Sequence, residues 1–166
     1  MRPNGREHID GAEGPPMRYT DDNRGIIQDP KNFHQKVLFG GMKFGRCMPT
    51  DIDAMMEFDG KLLIIFELKY GDAQIPFGQN LILTRLADAW QRDGGEAVLF
   101  LCRHLTQSGK DIQLATSNVT DVYYRGQWKP QKIVKQAKQM TEDVIRWAEH
   151  KHGWSLTHET VCRAVL

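Results

Sequence analysis

The chain is poor in cysteine. It has three in 166 residues, Cys47, Cys102 and Cys162, an odd number with no two close together. They offer neither a disulfide framework nor a zinc-ligand spacing, and they read as small, buried or partly buried thiols. Long apolar runs are missing as well: nothing is long enough to cross a membrane as a helix, and the opening Met-Arg-Pro-Asn-Gly-Arg has no apolar signal region. A cytoplasmic protein is expected. Charge of one sign is also lacking, since 22 Lys and Arg stand against 21 Asp and Glu, for a formal net charge of +1. There is no global attraction to nucleic acid, so binding of that kind must come from a local patch.

What is present belongs to an ordinary soluble domain: 40% hydrophobic and 26% charged residues in a length typical of one core. Residues 1–28 are polar, rich in Gly, Pro, Asp and Arg, and without apolar periodicity. They are expected to form a mobile N-terminal extension, with one domain over 29–166. Asp29-Pro30 suits a helix start, with Phe33, Val37 and Leu38 as a short apolar face and Gly40-Gly41 as its end. Residues 51–58 and 61–69 read as two strands around Asp59-Gly60, a hairpin signal. Both faces of the second are apolar, which makes it a central strand.

Pro76 suits the first position of a helix running to about Arg92, with Phe77, Leu81, Ile82, Leu86, Ala89 and Trp90 as its buried stripe. Ala97-Val-Leu-Phe-Leu-Cys102 is another buried strand. Strand, helix, strand in this order suggests a crossover with parallel pairing. Short strands follow at 112–116 and 119–125, then a turn at Arg125-Gly126. Lys129-Pro130 is expected to open a long helix on which Ile133, Ala137, Met140, Val144 and Trp147 recur, capped by Gly153. The predicted class is α/β, a single domain with a mixed central sheet flanked by helices.

The most informative stretch runs from Pro49 to Tyr70. Asp51 and Asp53 stand at the start of the first hairpin strand. Glu67 and Lys69 end the second, after Leu62-Leu-Ile-Ile-Phe66. Residues i and i+2 of a strand share a face, so Glu67 and Lys69 point together. Charges beside a core are costly unless paired or bound to metal. An ordinary salt bridge at a strand end is the plain alternative. The upstream aspartates, one hairpin away, favour a site: carboxylates and a lysine at one spot suit a divalent cation with a lysine beside the attacking water.

This pattern resembles the PD-(D/E)XK nuclease superfamily, in its motifs over Pro49–Lys69 and in its order of elements over about Asn32–His104. The resemblance implies a restriction-endonuclease-like α-β-β-β-α-β core, Mg²⁺ (with Mn²⁺ able to substitute) as cofactor, and DNA as partner. It also implies Asp53, Glu67 and the Leu68 carbonyl as metal ligands, with Asp51 a close second. Lys69 would orient or help deprotonate the attacking water. Gln79, in the first turn of the following helix, matches a polar residue that members often turn to the site. The literal Pro-Asp is interrupted by Thr50, which leaves the choice of Asp open. A two-residue turn at Asp59-Gly60 pairs Ile52 with Glu67 and aims both aspartates away; a three-residue loop with a bulge at Gly60 sets Asp51 across from Glu67, with Asp53 on its face. Many members carry a Glu on the first helix; none is obvious here, and His34 is a weak substitute.

For nucleic-acid contact the candidates are Arg46, His104 and the lysines repeating every third residue, Lys129, Lys132, Lys135 and Lys138, a curling basic stripe if helical. Of the four tryptophans, Trp90 and Trp147 fall on apolar stripes and read as core; any could stack on bases. His150, His152 and His158 lack a zinc-binding helix spacing. The expected function is Mg²⁺-dependent cleavage of DNA, by family analogy in phage or mobile-element DNA processing, with a homodimer one way to make two cuts. The alternatives are a catalytically lapsed module of the same fold that binds nucleic acid or protein, and an unrelated α/β protein in which Asp53, Glu67 and Lys69 form a structural ion pair.

Overall fold

The computed structural model describes residues 49–108 and 110–157. In chain order they form strands β1 (Ala54–Phe58) and β2 (Leu62–Tyr70), helix α1 (Phe77–Arg92), strands β3 (Glu96–His104), β4 (Asn118–Tyr124) and β5 (Gln127–Gln136), and helix α2 (Ala137–His152). One 3-10 turn, Leu114–Thr116, precedes β4. The strands make a single mixed sheet in the order β1-β2-β3-β4-β5. Only β2 and β3 run parallel, joined by α1; the other neighbours are antiparallel. This is the α/β class expected, a mixed sheet with a helix against each face. No described helix is long and apolar enough to cross a membrane. The expected polar extension, the first helix with His34, and Arg46 lie outside the described residues.

Strand alternation divides the core. Leu62, Ile64 and Phe66 of β2 join Val98, Phe100 and Cys102 of β3 and pack against Ala137, Met140 and Ala148 of α2. Leu63 and Ile65 join Ala97 and Leu99 against Leu83 and Ala87 of α1. With both faces covered, β2 is buried from Leu62 to Glu67. Each apolar side chain so buried contributes roughly 1.5–3 kcal/mol, which fixes the strand's place and register. Period 2 then puts Glu67 and Lys69 on the α1 face.

Three expectations are corrected. The helix expected from Lys129-Pro130 begins at Ala137; residues Gln127–Gln136 are the edge strand β5. Arg125 and Gly126, with φ of 47° and 78°, close a tight turn that sets Tyr123 opposite Trp128 and Val122 opposite Lys129. That pairing overrides the Lys-Pro signal, and Pro130 is tolerated because β5 lies at an edge. The register breaks between Val119 and Asp121, so the segment before Lys135 bulges out and leaves Ile133 exposed. The strand expected at 112–116 is the 3-10 turn instead. The third correction concerns α1, whose inward line is Gln79, Leu83 and Ala87, with Leu86 and Trp90 beside it; Phe77 is 82% exposed. The helix is rotated from the expected stripe because Gln79, though polar, has partners inside. The Gly153 cap is as expected: φ is 67° and its N–H donates to the Glu149 carbonyl at 2.8 Å.

Candidate metal and catalytic site

The hairpin determines which aspartate faces Glu67. The loop is three residues long: Asp59 and Gly60 take φ of 52° and 68°, and the Lys61 N–H donates to the Phe58 carbonyl at 2.8 Å. Phe58 pairs with Leu62 and Ala54 with Phe66. One step further along the same register Asp53, not Ile52 or Asp51, falls opposite Glu67. The extra residue lies on the β2 side of the turn, the reverse of the bulge considered from sequence. Where β1 stops pairing, the Asp53 carboxylate takes over: its Oδ2 accepts the Leu68 N–H at 2.7 Å. In an extended strand the N–H and C=O of one residue face the same neighbour, so the Leu68 carbonyl faces that same edge.

Glu67 is fully buried. Its Oε1 accepts from the Lys69 ammonium in a short hydrogen bond, and its Oε2 accepts from Gln79 Nε2 at 3.0 Å. Gln79 Oε1 in turn accepts from Lys69 Nζ at 3.3 Å. The same Gln79 amide reaches Asp51, at 3.4 Å to Oδ1 and 3.5 Å to the carbonyl. Glu67, Lys69, Gln79 and Asp51 therefore form one hydrogen-bonded cluster, with Asp53 against its strand edge. Burial pushes the Glu67 carboxyl above its ordinary value; the Lys69 hydrogen bond opposes this, while the charges of Asp53 and Asp51 add to it. A buried carboxylate still short of positive charge, with two further carboxylates facing it, is a place where a cation would relieve repulsion. Burial, then the charges of Asp53 and Glu67, also push the Cys102 thiol up to about 12, so this cysteine is inert.

Among the described residues no three His, Cys, Asp or Glu side chains stand close enough to cage a metal. A Mg²⁺ site asks for less, one or two carboxylates with water and substrate oxygens completing the shell. The oxygen-only donors here, Asp53, Glu67 and the Leu68 carbonyl, fit such a hard cation.

The other candidates lie apart. His104 ends β3 as expected, but pairs with Tyr70 and so falls on the face opposite Glu67; it lines a cavity of about 610 Å³ at the end of the sheet, together with Arg103 and Asp111. Lys129, Lys132 and Lys135 are on β5, three strand spacings or about 14 Å from β2, and Lys135 is paired with Asp143 at 2.5 Å; the expected helical stripe does not form. Trp90 packs in the α1-side core, whereas Trp147 is 37% exposed and stands edge-on to Tyr124. His152 accepts a structural role, 2.8 Å from buried Glu96.

Sequence reasoning missed Arg103. It pairs with Lys69 on the same face, and its guanidinium donates to the Gly71 carbonyl at 2.9 Å, shaping the loop before α1. Its place one strand over from the Glu-x-Lys was the available signal. No protein-family model, curated protein or solved structure matches the chain.

Proposed function

We propose that the chain is a metal-dependent nuclease that hydrolyses phosphodiester bonds of DNA, in the manner of the PD-(D/E)XK superfamily its motif resembles. The observation that carries this reading is the convergence of Lys69 and Gln79 on the buried Glu67 carboxylate, with Asp53 at the adjoining strand edge. Asp53, Glu67 and the Leu68 carbonyl would hold Mg²⁺, which supplies charge for the scissile phosphate and a water of lowered pKa. Lys69, 18% exposed, can reach a water or phosphate oxygen while still tethered to Glu67; its charge offsets the negative charge that builds on the phosphate in the transition state. Gln79 positions Lys69 and Glu67 together. A role in phage or mobile-element DNA belongs to this proposal by analogy alone.

A cleavage assay on linear, single-stranded, supercoiled and branched DNA, with Mg²⁺, with Mn²⁺ and with EDTA, tests it. Cleavage should require metal, fall at least a hundredfold in Glu67→Ala, Lys69→Ala and Asp53→Asn, and fall roughly ten- to a hundredfold in Gln79→Ala, the scale for supporting residues. Absence of metal-dependent cleavage on all four substrates refutes the enzyme. Nucleic-acid binding that survives in the same variants would then favour a lapsed binding module.

A further inference from the structure

The α1 face carries a second feature, a cavity of about 390 Å³ lined by Gln74, Asn80, Leu101, Arg103, Asp121 and Trp128. It begins where the cluster ends. Leu101 pairs with Glu67 and Arg103 with Lys69, one strand spacing of about 4.8 Å away, and Asn80 follows Gln79 on α1. Its volume lies within the range of small-molecule sites. Trp128 is half-buried and firmly held: its Nε1 donates to Asn80 Oδ1 at 3.1 Å, and its ring tilts against Tyr123 with centroids 5.5 Å apart. Tyr123 is anchored in turn, its hydroxyl donating to Asp88 at 2.9 Å. Among the described residues no lysine lines this cavity, and Asp121 does, so it is ill-suited to a bare phosphate. It offers a rigid aromatic surface, an acceptor on Asp121, and the N–H groups of Arg103 and Gln74 that remain after Arg103 donates to the Gly71 and Ala73 carbonyls and Gln74 to the Asp72 carbonyl. A flat ligand with donors and acceptors around its edge matches that set.

Resting on the nuclease reading, we infer that this cavity receives an unpaired nucleobase of the strand whose phosphate lies at Glu67 and Lys69, stacked on Trp128. A base inside a duplex has its faces covered by its neighbours and cannot stack there without leaving the helix. The substrate class is therefore DNA that is single-stranded or branched at the cut. Phe77, exposed at the opening of α1 two residues before Gln79, suits the same strand.

The test is binding in EDTA, where metal-dependent cleavage is silent, of a fluorescein-labelled 12-nucleotide DNA strand and of the blunt duplex of the same sequence, read by anisotropy with the full chain. The single strand should bind at least roughly tenfold tighter than the duplex. Trp128→Leu should weaken single-strand binding roughly tenfold or more, the scale of one lost stacking contact, and leave duplex binding unchanged. Trp128→Phe keeps an aromatic face and should restore most of it; this separates stacking from any loss of folding, which the thermal midpoint of each variant checks. Equal affinity for the two DNA forms overturns the inference, as does single-strand affinity unchanged in folded Trp128→Leu. Selective, Trp128-dependent binding without any metal-dependent cleavage would sink the nuclease and keep the base site.

Discussion

Glu67 offers the sharpest prediction, because a metal-site carboxylate and a structural ion pair respond in opposite ways to Glu67→Gln. The side chain is fully buried and its pKa is raised, with burial the largest cause. A raised carboxyl pKa means that folding favours the neutral form. The stability it contributes is complete below the unfolded value near 4.5 and is lost as pH rises through the folded value. Glutamine keeps the volume and an acceptor for Lys69 while removing the charge. In EDTA the variant should match the wild type near pH 4 and exceed it at pH 8 by about 0.5–2 kcal/mol, the usual gain from relieving a functional site. At about 2–4 °C per kcal/mol for a chain of this length, the midpoint rises by about 1–8 °C. Saturating Mn²⁺ or Mg²⁺ should invert the order. A ligand at a hundred times its dissociation constant adds about 2.7 kcal/mol to the wild type, and the variant, short of one ligand, gains little. Scanning fluorimetry across pH, with and without metal, reads both effects. A variant less stable than the wild type by 1 kcal/mol or more at pH 8 in EDTA would show that the Lys69–Glu67 pair is a net structural stabiliser, and the metal-site argument would fail.

Glu96, at the opposite end of the sheet, should behave in the reverse sense. Burial raises its pKa, but hydrogen bonds from Lys151, His152 and Tyr124 outweigh that and bring it below the ordinary value. Its contribution is present above about pH 4.5 and is lost as pH falls through the folded value. Glu96→Gln should therefore cost roughly 1–3 kcal/mol at pH 7 in urea unfolding, the scale of charged hydrogen bonds, with the deficit closing in acid. Gly95→Ala should cost about 1–3 kcal/mol by overpacking, since a Cβ there would stand 2.4 Å from Trp90 Nε1 and 3.0 Å from the Lys61 carbonyl; an unchanged midpoint and tryptophan emission spectrum would refute that reading.

Sequence by itself determined a good deal: the class, the parallel β2–α1–β3 unit, the central place of β2, and the shared face of Glu67 and Lys69. These follow from local signals, since period 2 needs no partner to be read and an apolar run with both faces covered has one place to go. Gln79, by contrast, was suggested only by the family resemblance and was brought to Glu67 by the packing of α1. Tertiary structure decided the rest. Which aspartate meets Glu67 turned on a one-residue register, set by left-handed backbone at Asp59 and Gly60 and by the packing of Leu62 to Phe66, and no pattern in Asp51-Ile-Asp53 encodes it. Gln127–Gln136 became a strand because β4 offered a pairing edge, which outweighed the helix signal of Lys129-Pro130 and scattered the lysine stripe. Arg103 and Trp128 entered the neighbourhood of the site through cross-strand pairing and sheet alternation. Contacts between residues distant in the chain depend on register and closure, and those are settled only when the whole sheet packs.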